Sequence, residues 1–114
     1  MRFVLIEHKC PYTNDHFDLM LERKDHLETY RLEELGDLGQ RARTIAKIKD
    51  HDKKFLTYEG PVNKGKGYAA RADEGECTPL SGENFRFEGR ILSGIFRISP
   101  AEDENYLLEP VSKA

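Results

Sequence analysis

Two polar residues on one short segment are the strongest candidates for metal chemistry. The segment His16–Glu22 alternates polar and apolar side chains, which predicts a β-strand with Phe17, Leu19 and Leu21 on its core face. Successive side chains of a strand point to opposite faces, so His16 and Asp18 share the other face, close enough to bind one ion. An imidazole and a carboxylate suit Zn, Mn or Fe. His8, just past the first predicted strand, is the candidate third ligand. The alternative is that His16 and Asp18 are ordinary surface residues.

A second candidate site lies on the predicted strand Arg43–His51. Period-two alternation places Arg43, Lys47, Lys49 and His51 on one face of that strand. An arginine and a histidine on one face can bind a phosphate, because the guanidinium offers a planar fork of donors. The alternative is a solvated strand face. The glycine-rich segment 60–67 is not a P-loop, since no serine or threonine follows its lysines and no helical pattern follows the segment.

Charge is distributed unevenly along the chain. The net charge is −3, which argues against a globally basic nucleic-acid-binding protein. Residues 41–71 nevertheless carry a net charge of +6 between two acidic flanks. This basic stretch is either a local phosphate-facing surface or a solvated charged face. The only cysteines, Cys10 and Cys77, form no CxxC pair and are expected to be small, semi-buried apolar residues in a reducing cytoplasm.

The elements that must position these residues are short strands. The 114 residues predict one domain spanning 1–114. Its fold class is predicted as all-β, a single compact barrel of mostly antiparallel strands with a loop or short helical turn near 33–42. No apolar run is long enough to span a membrane, and the first apolar residues are too few for a secretory signal, so a cytoplasmic location is expected. The predicted strands are Arg2–Glu7, His16–Glu22, Leu27–Leu32, Arg43–His51, Phe55–Tyr58, Tyr68–Ala72, Glu76–Thr78, Phe85–Glu88, Ile91–Ile98 and Tyr106–Glu109.

The order of several segments resembles one known family. These segments are Arg2–His8, His16–Glu22, Asp50-His51, Tyr58–Pro61 with the glycine-rich turn after it, Phe85–Gly94 and Asn105–Glu109. Together they resemble the 3′-phosphoesterase domain of bacterial DNA ligase D, which also occurs as a free-standing protein. The resemblance covers nearly the whole chain and depends on the order of the segments rather than on a single motif.

The resemblance implies a fold, an activity and a set of site residues. The family fold is a compact β-barrel, and its members remove 3′-terminal ribonucleotides and 3′-phosphates in DNA break repair with a divalent metal, typically Mn. Zn is compatible with the same donors. The implied metal ligands are His8, His16 and Asp18, while His51 and Arg43 are the implied catalytic and phosphate-binding residues. The implied partners are nucleic-acid 3′ ends, including DNA with a terminal ribonucleotide, and DNA-end-joining proteins, with no membrane involved.

The chain departs from the family pattern at several positions around the implied site. Met20 replaces an arginine two residues after the metal aspartate, and Phe55 replaces a tyrosine. Lys49 and Glu34 replace a glutamate and a lysine. Lys47 and Lys49 are expected to contribute part of the lost phosphate binding. These departures leave open a second hypothesis, a catalytically weak or inactive module that binds nucleic-acid ends or a repair partner.

Overall fold

Antiparallel β-strands make up almost all of the regular structure. The computed structural model describes residues 1–11 and 14–111, and within these ranges no helix is long and apolar enough to cross a membrane. Two 3₁₀ turns, Lys53–Leu56 and Asn63–Gly65, flank the fifth strand. The strands in chain order are β1 (Arg2–Lys9), β2 (His16–Glu22), β3 (Leu27–Leu32), β4 (Arg43–His51), β5 (Gly60–Val62), β6 (Gly67–Pro79), β7 (Asn84–Glu88), β8 (Ser93–Pro100) and β9 (Asn105–Pro110).

Eight of these strands close into a barrel. The strand order is β1-β2-β3-β4-β9-β8-β7-β6, and the pairing of β6 with β1 closes the ring. β5 lies outside the ring and pairs only with the beginning of β6. Residues 33–42 connect β3 to β4 as a loop with turns. The predicted all-β barrel is therefore confirmed.

Inward-facing aromatic and aliphatic side chains fill the barrel. Phe87 lies at the centre of an aromatic group, with ring centroids 5.0 Å from Phe3 and 5.7 Å from Phe96 in edge-to-face geometry. The other fully or almost fully buried members of this core come from all sides of the ring: Leu5, Leu19, Leu21, Tyr30, Leu32, Leu38, Ile45, Cys77, Leu92, Ile98 and Leu108. Burying this apolar surface is the main contribution to the stability of the fold.

The prediction of a strand at Phe55–Tyr58 is wrong, because this segment begins inside a 3₁₀ turn. The carboxylate of Asp52 accepts a hydrogen bond from the backbone N–H of Lys54 at 2.8 Å and so starts the turn Lys53–Leu56. Phe55 and Leu56 are good strand formers, but here the local cap and the burial of Leu56 decide the conformation.

The prediction of two separate strands at Tyr68–Ala72 and Glu76–Thr78 is also wrong, since β6 runs continuously through Asp73, Glu74 and Gly75. A register shift opposite Leu5 and Ile6 bends β6 here, so the strand changes direction without ending. The buried carboxylate of Asp73 accepts four backbone N–H groups: those of Glu74, Arg90, Ile91 and Leu92, at 2.8–2.9 Å. These hydrogen bonds hold Arg90, Ile91 and Leu92 in a loop. Ile91 and Leu92 were predicted to begin a strand, but β8 consequently begins only at Ser93.

Replacing Asp73 with asparagine is expected to lower the free energy of unfolding by about 2–4 kcal/mol. The amide would direct its own N–H donors at backbone N–H donors that are partly buried, and in the case of Leu92 fully buried. Urea denaturation measures the change. The matched control is Glu102→Gln at an exposed carboxylate, where a change within about 0.5 kcal/mol is expected. Equal stability of the two variants would contradict the role assigned to Asp73.

Candidate metal site and adjacent cavity

The outer face of the barrel wall formed by β1, β2 and β3 carries the candidate site. Cross-strand pairing brings Ile6, Asp18 and Arg31 side by side on this face. The 3₁₀ turn Lys53–Leu56 and β5 cover it, which creates a second, smaller apolar cluster. The buried members of this cluster are Val4, Ile6, Met20, Leu27, Leu56 and Ala69. The polar residues of the wall therefore border a second core.

A pair of histidines forms the centre of the site. The register of β1 and β2 places His8 opposite His16, and Nδ1 of His8 lies 3.0 Å from Nε2 of His16. Two imidazole nitrogens bound to one tetrahedral zinc ion, each about 2.0–2.1 Å from the metal, lie roughly 3.3 Å apart. The two nitrogens thus converge at close to the spacing that a single ion requires.

The position of the His8 ring depends on Gly67, the first residue of β6. A Cβ atom at this position would lie 2.6 Å from Nε2 and 3.2 Å from Cδ2 of His8. Because such an approach is too short for carbon and nitrogen atoms that are not bonded, only glycine leaves the ring where it is. Gly67 is therefore part of the site although it carries no functional group.

Asp18 lies beside the histidine pair and is buried, with 4% of its surface exposed. Its Oδ2 is 3.8 Å from Nε2 of His16, and its Oδ1 is 3.6 Å from Nε of Arg31. Neither Oδ1 of Asp18 nor Nε of Arg31 has a hydrogen-bond partner within the described ranges. A buried carboxylate is costly unless its charge is compensated. Arg31 compensates part of this charge without a hydrogen bond, and a metal cation beside Asp18 would compensate more of it.

Cys10 is a further candidate metal ligand, although the sequence predicted only a small, semi-buried apolar residue here. One ligand atom each of His8, Cys10 and His16 lies within 4.8 Å of the other two, so these three residues could together hold a metal ion. Cys10 follows His8 at the spacing of two that also relates His16 to Asp18. That shared spacing is the signal that could have identified it.

The protonation of His16 suits a metal ligand. Burial lowers the pKa of His16 below its usual value, and this outweighs the opposing effect of the nearby Asp18 carboxylate. The imidazole is therefore neutral near pH 7. A neutral imidazole keeps a lone pair available for a metal ion.

A cavity of about 330 Å³ opens next to these groups, with His8 and Asp18 on its wall. Arg31, Lys49 and His51 line the same cavity and supply positive charge and hydrogen-bond donors. Nδ1 of His51 lies 3.1 Å from the carbonyl oxygen of Lys49. Because a carbonyl oxygen can only accept, Nδ1 donates this hydrogen bond, and Nε2 of His51 is the nitrogen available to a ligand. Met20 and Phe55 add apolar surface to the lining.

The structure does not bring Arg43 to this cavity. Arg43 and His51 are the first and last residues of β4, which at about 3.3 Å per residue separates them by roughly 26 Å. The guanidinium of Arg43 instead donates to the carbonyl oxygens of Leu35 at 2.6 Å and Glu34 at 2.8 Å. It therefore holds the loop between β3 and β4, and the predicted grouping of Arg43 with His51 must be corrected.

Lys47 is also outside the cavity lining. Its Nζ donates to the carbonyl oxygen of Ile48 at 2.8 Å and lies 3.5 Å from Oδ1 of Asp50. The physical reason is an irregularity in the pairing of β3 and β4. Thr29 pairs with Ile48 but Leu27 pairs with His51, so β4 contains one extra residue there. Such a bulge shifts the alternation of side chains, and the predicted common face of Lys47 and His51 is lost.

Arg31, and not the predicted Arg43, is the arginine that lines the cavity. It lies opposite Asp18 in the β2–β3 hairpin, and 40% of its side chain is exposed toward solvent. Its guanidinium therefore reaches both the buried carboxylate and the open side of the cavity.

No protein-family model matches the chain, and no curated protein matches it. The assignment of a function consequently depends on the geometry of this site and on the family resemblance.

Proposed function

We propose that this protein is a metal-dependent phosphoesterase of the DNA ligase D type, which removes a ribonucleotide or a phosphate from nucleic-acid 3′ ends in DNA break repair. One observation carries the proposal. His8 and Asp18, which belong to the candidate metal site, share one cavity with the cationic residues Arg31 and Lys49 and with His51. A metal ion beside an anion-binding cavity is an arrangement that supports phosphoester cleavage.

Each side chain of the cavity has a defined task in this proposal. A bound divalent ion, which the resemblance suggests is Mn, supplies Lewis-acid polarisation of a phosphate oxygen and a water of lowered pKa. His8, His16 and Asp18 hold that ion. Arg31 and Lys49 bind the phosphate oxygens, and Nε2 of His51 donates to the charge that develops on them when the imidazole is protonated.

The substrate follows from the charge and openness of the cavity. A terminal phosphate can bind beside the two cationic side chains Arg31 and Lys49. The basic stretch 41–71 supplies further exposed lysines for the nucleic-acid strand that carries this phosphate. DNA with a terminal ribonucleotide or 3′-phosphate is the proposed substrate, and DNA-end-joining proteins are the proposed partners. The cytoplasm is the proposed location, where the two free thiols remain reduced.

Met20 supports a second candidate function. Its thioether lines the cavity where the family has an arginine, and it offers no charge and no donor. Phe55 likewise lacks the hydroxyl of the family tyrosine. A module that binds a phosphorylated 3′ end without turning it over is compatible with these two residues.

Incubating the protein with a primer–template that carries a 3′-ribonucleotide or a 3′-phosphate is expected to yield a shortened or dephosphorylated primer with Mn and none after chelation. In Asp18→Asn we expect the rate to fall by about 100-fold or more, since loss of even an outer-shell partner of a metal costs about 10- to 100-fold. The matched control is Glu104→Gln, a change at an exposed carboxylate outside the cavity.

The same experiment separates the two candidate functions. If the protein binds the 3′-phosphate end but forms no product with any of the metals tested, the binding module and not the enzyme is the function. Absence of both binding and product would reject both functions.

A further inference from the structure

We propose that Cys10 is a metal ligand together with His8 and His16, and that the site therefore binds a thiophilic divalent cation, Zn²⁺ or Co²⁺, more tightly than Mn²⁺. The inference rests on the proposed function, because it names the metal of the same site. It can be measured without turnover. It also departs from the metal that the family resemblance implies.

The position of Cys10 is held by the polypeptide around it. Its backbone N–H donates to Oδ1 of Asp15 at 3.0 Å, and its Sγ lies 3.6 Å from the carbonyl oxygen of His8. Asp15 directly precedes β2, so this hydrogen bond ties the end of β1 to the beginning of β2. The same tie brings the thiol toward His16, the first residue of β2.

The three donor atoms fit one ion. They lie within 4.8 Å of one another, and the two histidine nitrogens are 3.0 Å apart. Zinc–sulfur and zinc–nitrogen bonds of about 2.3 Å and 2.0–2.1 Å place tetrahedral ligand atoms roughly 3.3–3.6 Å apart. Small side-chain movements bring the three donors to this spacing.

An unsatisfied carboxylate oxygen beside the histidine pair points independently to a ligand. Oδ1 of Asp18 is buried and has no hydrogen-bond partner in the described part of the chain. The side chain of Asp18 is only 6% exposed, and its carboxylate lies beside His16. A cation at the histidine pair would offset the buried negative charge that Arg31 approaches from the other side.

The chemistry of the third ligand decides which metal is preferred. Thiolate is a soft ligand that selects zinc, whereas Mn²⁺ prefers oxygen ligands and is at the weak end of the affinity order for divalent metals. Three protein ligands leave the fourth position of a tetrahedral zinc ion open, as in catalytic zinc sites. In this inference Cys10 replaces Asp18 as the third protein ligand of the proposed site, and Asp18, whose Oδ2 lies 3.8 Å from Nε2 of His16, remains beside the ion.

Cys77 provides a matched control within the same chain. It is fully buried in the barrel core, where burial raises the pKa of its thiol to about 11. A thiol in that environment stays protonated and does not bind a metal ion.

The test is titration of Co²⁺ into the metal-stripped full-length protein. The expected result is binding of one Co²⁺ ion with sulfur-to-cobalt charge-transfer absorption in the near ultraviolet. Zn²⁺ is expected to displace the bound Co²⁺, whereas equimolar Mn²⁺ is not. The absorption is expected to disappear in Cys10→Ser and to persist in Cys77→Ala. We expect Cys10→Ser to weaken Zn²⁺ binding by more than about 100-fold, above the 10- to 100-fold loss typical of an outer-shell partner, with Mn²⁺ binding nearly unchanged.

The outcomes distinguish this inference from the proposed function. Cobalt binding without the charge-transfer band, no cobalt binding at all, or equal Zn²⁺ affinity of wild type and Cys10→Ser would overturn the role of Cys10. If the charge-transfer band is present but the Zn, Co and Mn forms do not process 3′ ends, Cys10 is a metal ligand and the protein is not a phosphoesterase.

Discussion

Arg31→Ala is expected to lower the rate of 3′-end processing by about 10- to 150-fold, which corresponds to the roughly 1.5–3 kcal/mol of a hydrogen bond to a charged group. The reason is that, among the described residues that line the 330 Å³ cavity, Arg31 has the only guanidinium. Single-turnover kinetics on a 3′-phosphate primer measures the effect. Metal affinity is expected to be retained, because Arg31 repels the ion rather than binding it.

Two further variants test the geometry of this contact. Arg31→Lys is expected to give an intermediate rate, since an ammonium keeps the charge but loses the planar fork of donors. Arg86→Ala removes an exposed arginine of β7 outside the cavity lining and is expected to leave the rate unchanged. An unchanged rate in Arg31→Ala, or an equal loss in Arg86→Ala, would show that Arg31 does not bind the phosphate.

Gly67→Ala is expected to weaken metal binding by about 10- to 100-fold, the range found when the residues that orient a metal ligand are changed. The added Cβ would lie 2.6 Å from Nε2 of His8, and the ring must turn away from it. That movement separates Nδ1 of His8 from Nε2 of His16, and turnover is expected to fall with metal affinity. Isothermal titration with Zn²⁺ measures the loss.

The control for this variant is Lys66→Ala, which changes the exposed neighbouring residue without approaching His8. The thermal midpoint of Gly67→Ala is compared with that of wild type to separate a local effect on His8 from a loss of folding. Unchanged metal affinity in a folded Gly67→Ala protein would place the ion away from the His8 ring.

The strands that carry the site could be predicted from the sequence. β2, β3 and β4 have the bounds predicted for them, because alternating polar and apolar residues between clear turns leave few other conformations. The common face of His16 and Asp18 followed from the same alternation. The sequence did not show that other residues pack over this face. One of them is Leu56, which lies in a 3₁₀ turn although the segment around it was predicted as a strand.

The arginine that lines the cavity could not be identified without the register of the strands. A single extra residue in β4 separates Lys47 from the face of His51, and no residue in that segment signals a bulge. Arg31 was accessible in principle, since a hairpin between the predicted strands His16–Glu22 and Leu27–Leu32 pairs it with Asp18. Cys10 was overlooked for a different reason, namely that it lies just beyond the end of β1.

The burial of β1 and β2 on both faces also affects how the site fluctuates. Four consecutive residues of β1, Phe3–Ile6, are buried, and β1 pairs with a neighbour along each edge. Amide hydrogens in such a strand exchange with solvent only when a large part of the protein opens. We therefore expect the amide hydrogens of Phe3–Ile6 to be among the slowest to exchange, so that the strand leading to His8 keeps its position whether or not the proposed site is occupied.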